Sequence, residues 1–203
     1  MLRFIDASNG EVLVNGVNVK DVSQKQLRSS IGYASQKAFL FSGTIRSNLS
    51  FSNENLSFED IKKAAVVADA DSFINEKDGG YDSSVAQGGT NFSGGQRQRL
   101  CIARAVASKP EILIFDDSFS ALDYKTDRTV RDNINEYLPN TTKVIVAQRV
   151  GTIMNADKIV VLEHGQIVKI GDHKSLLKDC PLYREIALSQ LTHEELGLKK
   201  GDE

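Results

Sequence analysis

The sequence predicts an α/β fold: a parallel-sheet core, a small antiparallel β part and an inserted α-helical subdomain. Three observations carry this reading. The run Ile112-Leu113-Ile114-Phe115 ends in the acid pair Asp116-Asp117, the pattern of a central parallel strand buried on both faces. A helical pattern over about 125–137 and a second apolar run, Lys143-Val144-Ile145-Val146-Ala147, follow it, and strand, helix and strand in this order imply a right-handed parallel connection. Upstream, residues from about 38 to 107 read as mainly helical and interrupt the sheet-forming pattern.

Along the chain, each element has a local reason. Residues 11–20 form two alternating runs around Asn15-Gly16, a strong hairpin signal. Ser23 is placed to cap a short helix through about Arg28, and Ile31-Gly32-Tyr33-Ala34 reads as a short buried strand ending at Ser35-Gln36-Lys37. Ser57 caps the helix that begins Phe58-Glu59-Asp60, and a long helix runs over 93–107 until Lys109-Pro110 breaks it. Residues 157–170 hold two strands around Glu163-His164-Gly165. The remainder is helical, and 196–203 reads as a polar frayed tail. The expected organisation is one domain over 1–203. Its parts are a β hairpin (11–20), an α/β core (21–37 and 108–172), a helical subdomain (38–107), and C-terminal helices and tail (173–203).

Bulk composition narrows the function classes. With 25 basic and 27 acidic residues in 203, the net charge is −2, which argues against a nucleic-acid partner. Forty per cent of residues are apolar, enough for a packed core. The two cysteines, Cys101 and Cys180, have no metal-ligand spacing. Cys101 reads as a small core residue, and the pair implies a reducing compartment. No apolar run approaches the length of a membrane span, so membrane association is expected through a partner. His164, His173 and His193 share no motif and read as surface or turn residues.

The segment Asn91-Phe92-Ser93-Gly94-Gly95-Gln96-Arg97-Gln98-Arg99 carries the most specific chemistry. Ser93 is a good N-cap, two glycines let backbone N–H groups approach a ligand closely, and the helix dipole favours an anion there. A glycine pair before a helix is by itself an ordinary cap, and two acids after an apolar run can merely end a strand. The long string and its spacing to Asp116-Asp117 together make the functional reading the stronger one.

In this order the two segments resemble the signature motif and the Walker B strand of an ABC-type ATPase domain, and the layout is similar across nearly the whole chain. The resemblance implies a P-loop NTPase (RecA-like) fold with its N-terminal strands missing, with ATP and Mg²⁺ as cofactors. It implies that Asp116 holds Mg²⁺ through water, with Gln36 of the Q-loop as a second ligand near the metal. Asp117 would polarise the attacking water, and Gln148 would stand at the switch position against the γ-phosphate. Ser93, Gly94, Gly95 and Gln96 would bind the nucleotide of a second ABC ATPase domain in a head-to-tail dimer. Ser120-Ala121-Leu122-Asp123 would be the D-loop, placing Asp123 beside that interface. The segment from Phe39 through Leu49 resembles the exporter-type region that receives a coupling helix of a transmembrane domain.

The chain departs from the family's pattern in four places. Glu is usual where Asp117 stands, and Asp is shorter by about 1.5 Å of reach. Histidine is usual where Gln148 stands, and an amide carries no titratable proton. The loop Val85-Ala86-Gln87-Gly88-Gly89 lacks the acidic and basic residues that exporters carry there. No G-x-x-x-x-G-K-[ST] loop occurs in the sequence, and residues 1–6 resemble the later part of the helix that follows that loop. The chain is therefore expected to be the C-terminal part of a longer protein, begun at an internal methionine. The resemblance implies the degenerate-site half of a heterodimeric exporter, at the cytoplasmic face of the membrane through its membrane domain. A soluble ABC protein of repair or translation, and an inert or regulatory fragment, remain as alternatives at this point.

Overall fold

The computed structural model describes residues 1–197. The chain divides into two compact units, Met1–Val146 and Ala147–Glu203. The first opens with an antiparallel hairpin, β1 (Leu13–Val14) and β2 (Val17–Asn18). Asn15 and Gly16 both take positive φ, 52° and 77°, as an Asn-Gly turn of this twist requires. Helix α1 (Gln24–Ser29) follows, its Ser23 side chain accepting from Gln26 N.

The parallel sheet is built from β3 (Ile31–Ala34), β6 (Ile112–Asp116) and β7 (Thr142–Val146), in that order. Its register sets Ala34 beside Phe115 and Asp116 beside Val146, so the acid pair leaves the sheet at its carboxyl edge. The strand alternation sorts the core into two layers. Ile112 and Ile114 pack with Ile31, Leu27 and Val19 on one face. Leu113 and Phe115 join the larger cluster on the other, with Leu100, Ile102, Val106 and Ile134. Leu100, Ile102 and Leu113 are wholly buried, each contributing about 1.5–3 kcal/mol of burial free energy.

Between β3 and β6 lie β4 (Gly43–Thr44), α2 (Ile45–Leu49), α3 (Phe58–Val67), α4 (Asp71–Asn75), β5 (Ser84–Val85) and α5 (Gly94–Ala107). Residues 38–107, read from the sequence as mainly helical, also hold two short strands. β4 pairs antiparallel with β5, and single 3-10 turns stand at Gly80–Asp82 and Gln87–Gly89. Strands of two residues are too short to print a period of two against a helical background. Helix α6 (Tyr124–Tyr137) then connects β6 to β7.

In the second unit, α7 (Val150–Ile153) precedes an antiparallel hairpin, β8 (Ile159–Glu163) and β9 (Gln166–Gly171), turned at His164-Gly165. Helices α8 (His173–Asp179) and α9 (Pro181–Gln190) cover it, with Ile159, Val161, Leu176, Leu177, Tyr183 and Ala187 in its core. Two expectations change here. Leu196 is buried in this same core rather than part of a frayed tail; residues 198–203 of that tail lie outside the described residues. His173 is half-buried rather than a surface residue, with its Nδ1 2.7 Å from the Tyr183 hydroxyl. An apolar stripe on α9 gives Tyr183 its place, and the phenol supplies the partner that lets an imidazole sit there. His164 and His193 are exposed.

This pair makes a pH prediction. Burial holds the His173 imidazole below its ordinary 6.5, outweighing Asp172, while burial pushes the Tyr183 phenol up to about 12. A histidine lowered in the folded state takes up its proton less readily than the unfolded chain does. Stability is therefore expected to fall as pH drops through 6.5 toward the folded value, and to be unaffected above it. Thermal unfolding of the wild-type chain and His173→Gln across pH 5 to 8 reads this: the two curves should diverge only on the acid side.

Candidate functional site

The long helix α5 owes its start to a reciprocal cap. Ser93 Oγ accepts from Gln96 N at 3.2 Å, and Ser93 N donates to Gln96 Oε1 at 3.1 Å. This is a capping box, and it commits the Ser93 and Gln96 side chains to each other. The N–H groups of Gly94 and Gly95 are left without an intrahelical acceptor, and Gly94 is exposed. Neither glycine is demanded by the chain's own packing. A Cβ at Gly94 would meet open space, and one at Gly95 would sit in ordinary contact, 3.7 Å from the Ala121 carbonyl oxygen. Neither takes a positive φ. That same contact brings the start of α5 beside the turn 120–123.

The turn ends in Asp123, whose carboxylate caps α6, accepting from Thr126 N at 3.0 Å and Thr126 Oγ1 at 2.7 Å. The Thr126 backbone bond, then its hydroxyl, hold the exposed carboxyl below the usual range. Asp123 is therefore occupied by its own helix.

At the carboxyl edge of β6 the two acids part. Asp116 stays on the Ile112 and Ile114 face, where Tyr33 from β3 donates its hydroxyl to Oδ2 at 3.0 Å. Burial, and then this bond to Asp116, push the Tyr33 phenol up. Asp117 turns out of the sheet with φ 47°, a left-handed conformation that Asp tolerates better than most residues. Its N–H donates to the Val146 carbonyl at 2.9 Å. Gln36 Nε2 donates to Asp117 Oδ2 at 3.1 Å, so the structure gathers Gln36, Asp116 and Asp117 at one end of the sheet. Gln148 belongs to the second unit, where it is exposed and its carbonyl accepts from Gln190 Nε2 at 2.8 Å.

Two residues of this region escaped the sequence reading. Tyr33 sits in a buried strand at a position that alternation assigns to the core, with nothing local to mark its hydroxyl. Gln98 is fully buried in α5, and its helical spacing from apolar neighbours was the only available signal. Among the described residues no group of three or more His, Cys, Asp or Glu gathers to hold a metal. No helix among them is long and apolar enough to cross a membrane.

Phe39, Phe41 and Phe51 form an exposed aromatic group, Phe41 stacked on Phe51 at 4.4 Å and edge-on to Phe39 at 5.3 Å.

The ABC transporter family model matches residues 1–120, a span that holds Gln36, the capped glycines and both acids. The chain belongs to the ABC transporter family. An uncharacterised ABC transporter ATP-binding protein of Mycobacterium bovis is 42% identical over 198 residues, covering 96% of this chain and 34% of its own length. ABC transporter B family member 21 of Arabidopsis thaliana is 40% identical over 201 residues, 99% of this chain and 15% of that protein. The ATP-dependent lipid A-core flippase of Desulfotalea psychrophila is 40% identical over 87% of this chain and 31% of its own length. Among solved structures, a bacterial Atm1-family ABC exporter with ATP bound superposes with a TM-score of 0.89 at 34% identity, over 93% of this chain and 33% of that one. The chain thus spans about a third of the length of the first relatives it matches. The α/β class and the exporter-type ABC resemblance read from the sequence are both supported by these likenesses.

Proposed function

We propose that this chain is part of the ATP-binding domain of an ABC exporter and works by completing an ATP site on a second, head-to-tail ABC ATPase domain. The observation that carries this is the start of α5: two glycines that the chain's own packing does not need, at the exposed and capped end of a 14-residue helix. Their need lies outside the chain, in the close approach of a phosphate to backbone N–H groups.

In this reading Gly94 and Gly95 direct N–H donors at the γ-phosphate held by the other domain, and the reciprocal cap of Ser93 and Gln96 holds them in place. Asp116 and Gln36 present oxygen donors of the kind Mg²⁺ accepts, with water and phosphate oxygens completing its shell. Bound there, Mg²⁺ would neutralise charge on the phosphates. Asp117 orients the attacking water, held in position by Gln36, and Gln148 offers an amide to a phosphate oxygen. Asp123 supports the interface by fixing the start of α6. The exposed Phe39, Phe41 and Phe51 suit a coupling helix of a transmembrane domain, which would place the chain at the cytoplasmic face of a membrane.

The same reading divides the chain into the parts 11–20, 21–37 with 108–172, 38–107 and 173–203 of an ABC domain. It makes the chain the degenerate half of a heterodimer: a short acid at 117 and an amide at 148 leave its own site slow. Misplacement of a reacting group by about 1 Å costs on the order of a hundredfold in rate.

The test is to restore both groups, Asp117→Glu with Gln148→His, in the transporter that carries this chain, with the partner's site disabled. ATP turnover is expected to rise by about tenfold or more. The left-handed turn at 117 costs Glu more than Asp, which keeps the gain below the full hundredfold. No gain in turnover would remove the degenerate-site reading.

A further inference from the structure

Gln98 is a polar side chain at a core position. It lies in the middle of α5, is 1% exposed, and is surrounded in sequence by residues that pack apolar atoms inward. α5 is already held on β3 without it: Gly32 lets the helix come so close that the Ala105 carbonyl oxygen fills the place of a Cβ. An apolar residue would be the ordinary choice at such a site, since burying an amide is unfavourable unless it is bonded.

Its bond explains its presence. Gln98 Nε2 donates to the Ser35 carbonyl at 3.2 Å. Ser35 is the first residue past β3, and the next, Gln36, donates from its own Nε2 to Asp117 Oδ2 at 3.1 Å. Gln36 is exposed and flanked by the exposed Lys37; Ser35 holds this turn, its carbonyl bonded to Gln98 and its hydroxyl donating to the Lys37 carbonyl at 3.0 Å.

We propose that Gln98 is a positioning residue: it pins Ser35 to α5 and thereby sets Gln36 against Asp117. This rests on the reading given under Proposed function, in which the start of α5 and Asp117 serve different ATP sites. Gln98 then ties together the two parts of one chain that face those two sites. A shift of α5 against the sheet moves Ser35, and with it the amide that holds the acid.

The test reads the two side-chain amides by NMR in the 203-residue chain. In the wild type, removing the acceptor by Asp117→Ala should move the Gln36 NH₂ signal. Gln98→Met keeps length and volume and removes the donor. In its background Asp117→Ala is expected to leave the Gln36 signal in place, while α5 backbone amides stay protected from exchange. A Gln36 signal that still follows Asp117 in Gln98→Met overturns the proposal. Should that variant fail to fold, Gln36→Ala at its exposed position reads the bond from the other end. The Gln98 NH₂ signal should then move, and one that stays in place also overturns the proposal. Neither signal needs nucleotide, so the outcome is independent of whether the transporter hydrolyses ATP, which turnover measurements decide.

Discussion

Gly94→Leu is expected to leave the fold at least as stable as the wild type and to remove most ATP turnover of the assembled transporter. The two halves of this result come from different places. Within the chain, a Cβ at Gly94 meets nothing and the backbone is helical, so replacing glycine there reduces unfolded-state freedom at no steric cost. Stability should be unchanged or higher by about 0.4–1 kcal/mol. At the ATP site proposed on the second domain, the side chain would stand between phosphate and the N–H donors. Losing such donors costs on the order of a hundred- to a thousandfold in rate. On the proposed reading, which assigns that acid to a slow site, Asp117→Asn in the same transporter should matter much less. Steady-state turnover and thermal midpoints of the two variants decide this. Equal damage from Asp117→Asn would mean that this chain carries a working catalytic carboxylate.

The second large effect is on folding. Gly32→Val should destabilise the chain by about 3 kcal/mol or more, at the top of the range for overpacking. A Cβ at Gly32 would collide with the Ala105 carbonyl oxygen and lie 2.8 Å from both Leu113 Cδ2 and Pro110 Cγ. The first is helix backbone and cannot rotate away. A loss of this size lowers the midpoint by about 6–12 °C for a chain of this length. Gly95→Ala, whose Cβ would find ordinary contacts, is the control and should shift the midpoint little. A Gly32→Val chain with an unchanged midpoint would mean that α5 sits farther from β3 than described.

Much of this architecture was legible because its signals are local. Ser23, Ser57 and Ser93 each accept from the N–H three residues on and open a helix, and Asn15-Gly16 turns a hairpin. The burial of β6 followed from an unbroken apolar run. What was not legible depends on tertiary approach. β4 and β5 are separated by 39 positions, counting from Thr44 to Ser84 between them, and each is too short to announce itself. Tyr33 and Gln98 act through partners 83 and 63 residues away, which no window along the chain can see. The left-handed turn at Asp117 depends on the Val146 carbonyl that takes its N–H. The acid pair was therefore readable as a pair, but its divergence was not.

The reciprocal cap between Ser93 and Gln96 has a thermodynamic consequence. A binding loop of serine and glycine would ordinarily lose conformational freedom when it closes on a ligand, and affinity would be reduced by that loss. Here the ordering is settled during folding, because both side chains are already bonded and the glycines already lie in the first turn of a helix. In the proposed assembly, nucleotide arriving on another domain would meet donors that need no rearrangement, so docking at this end should carry a small entropic penalty.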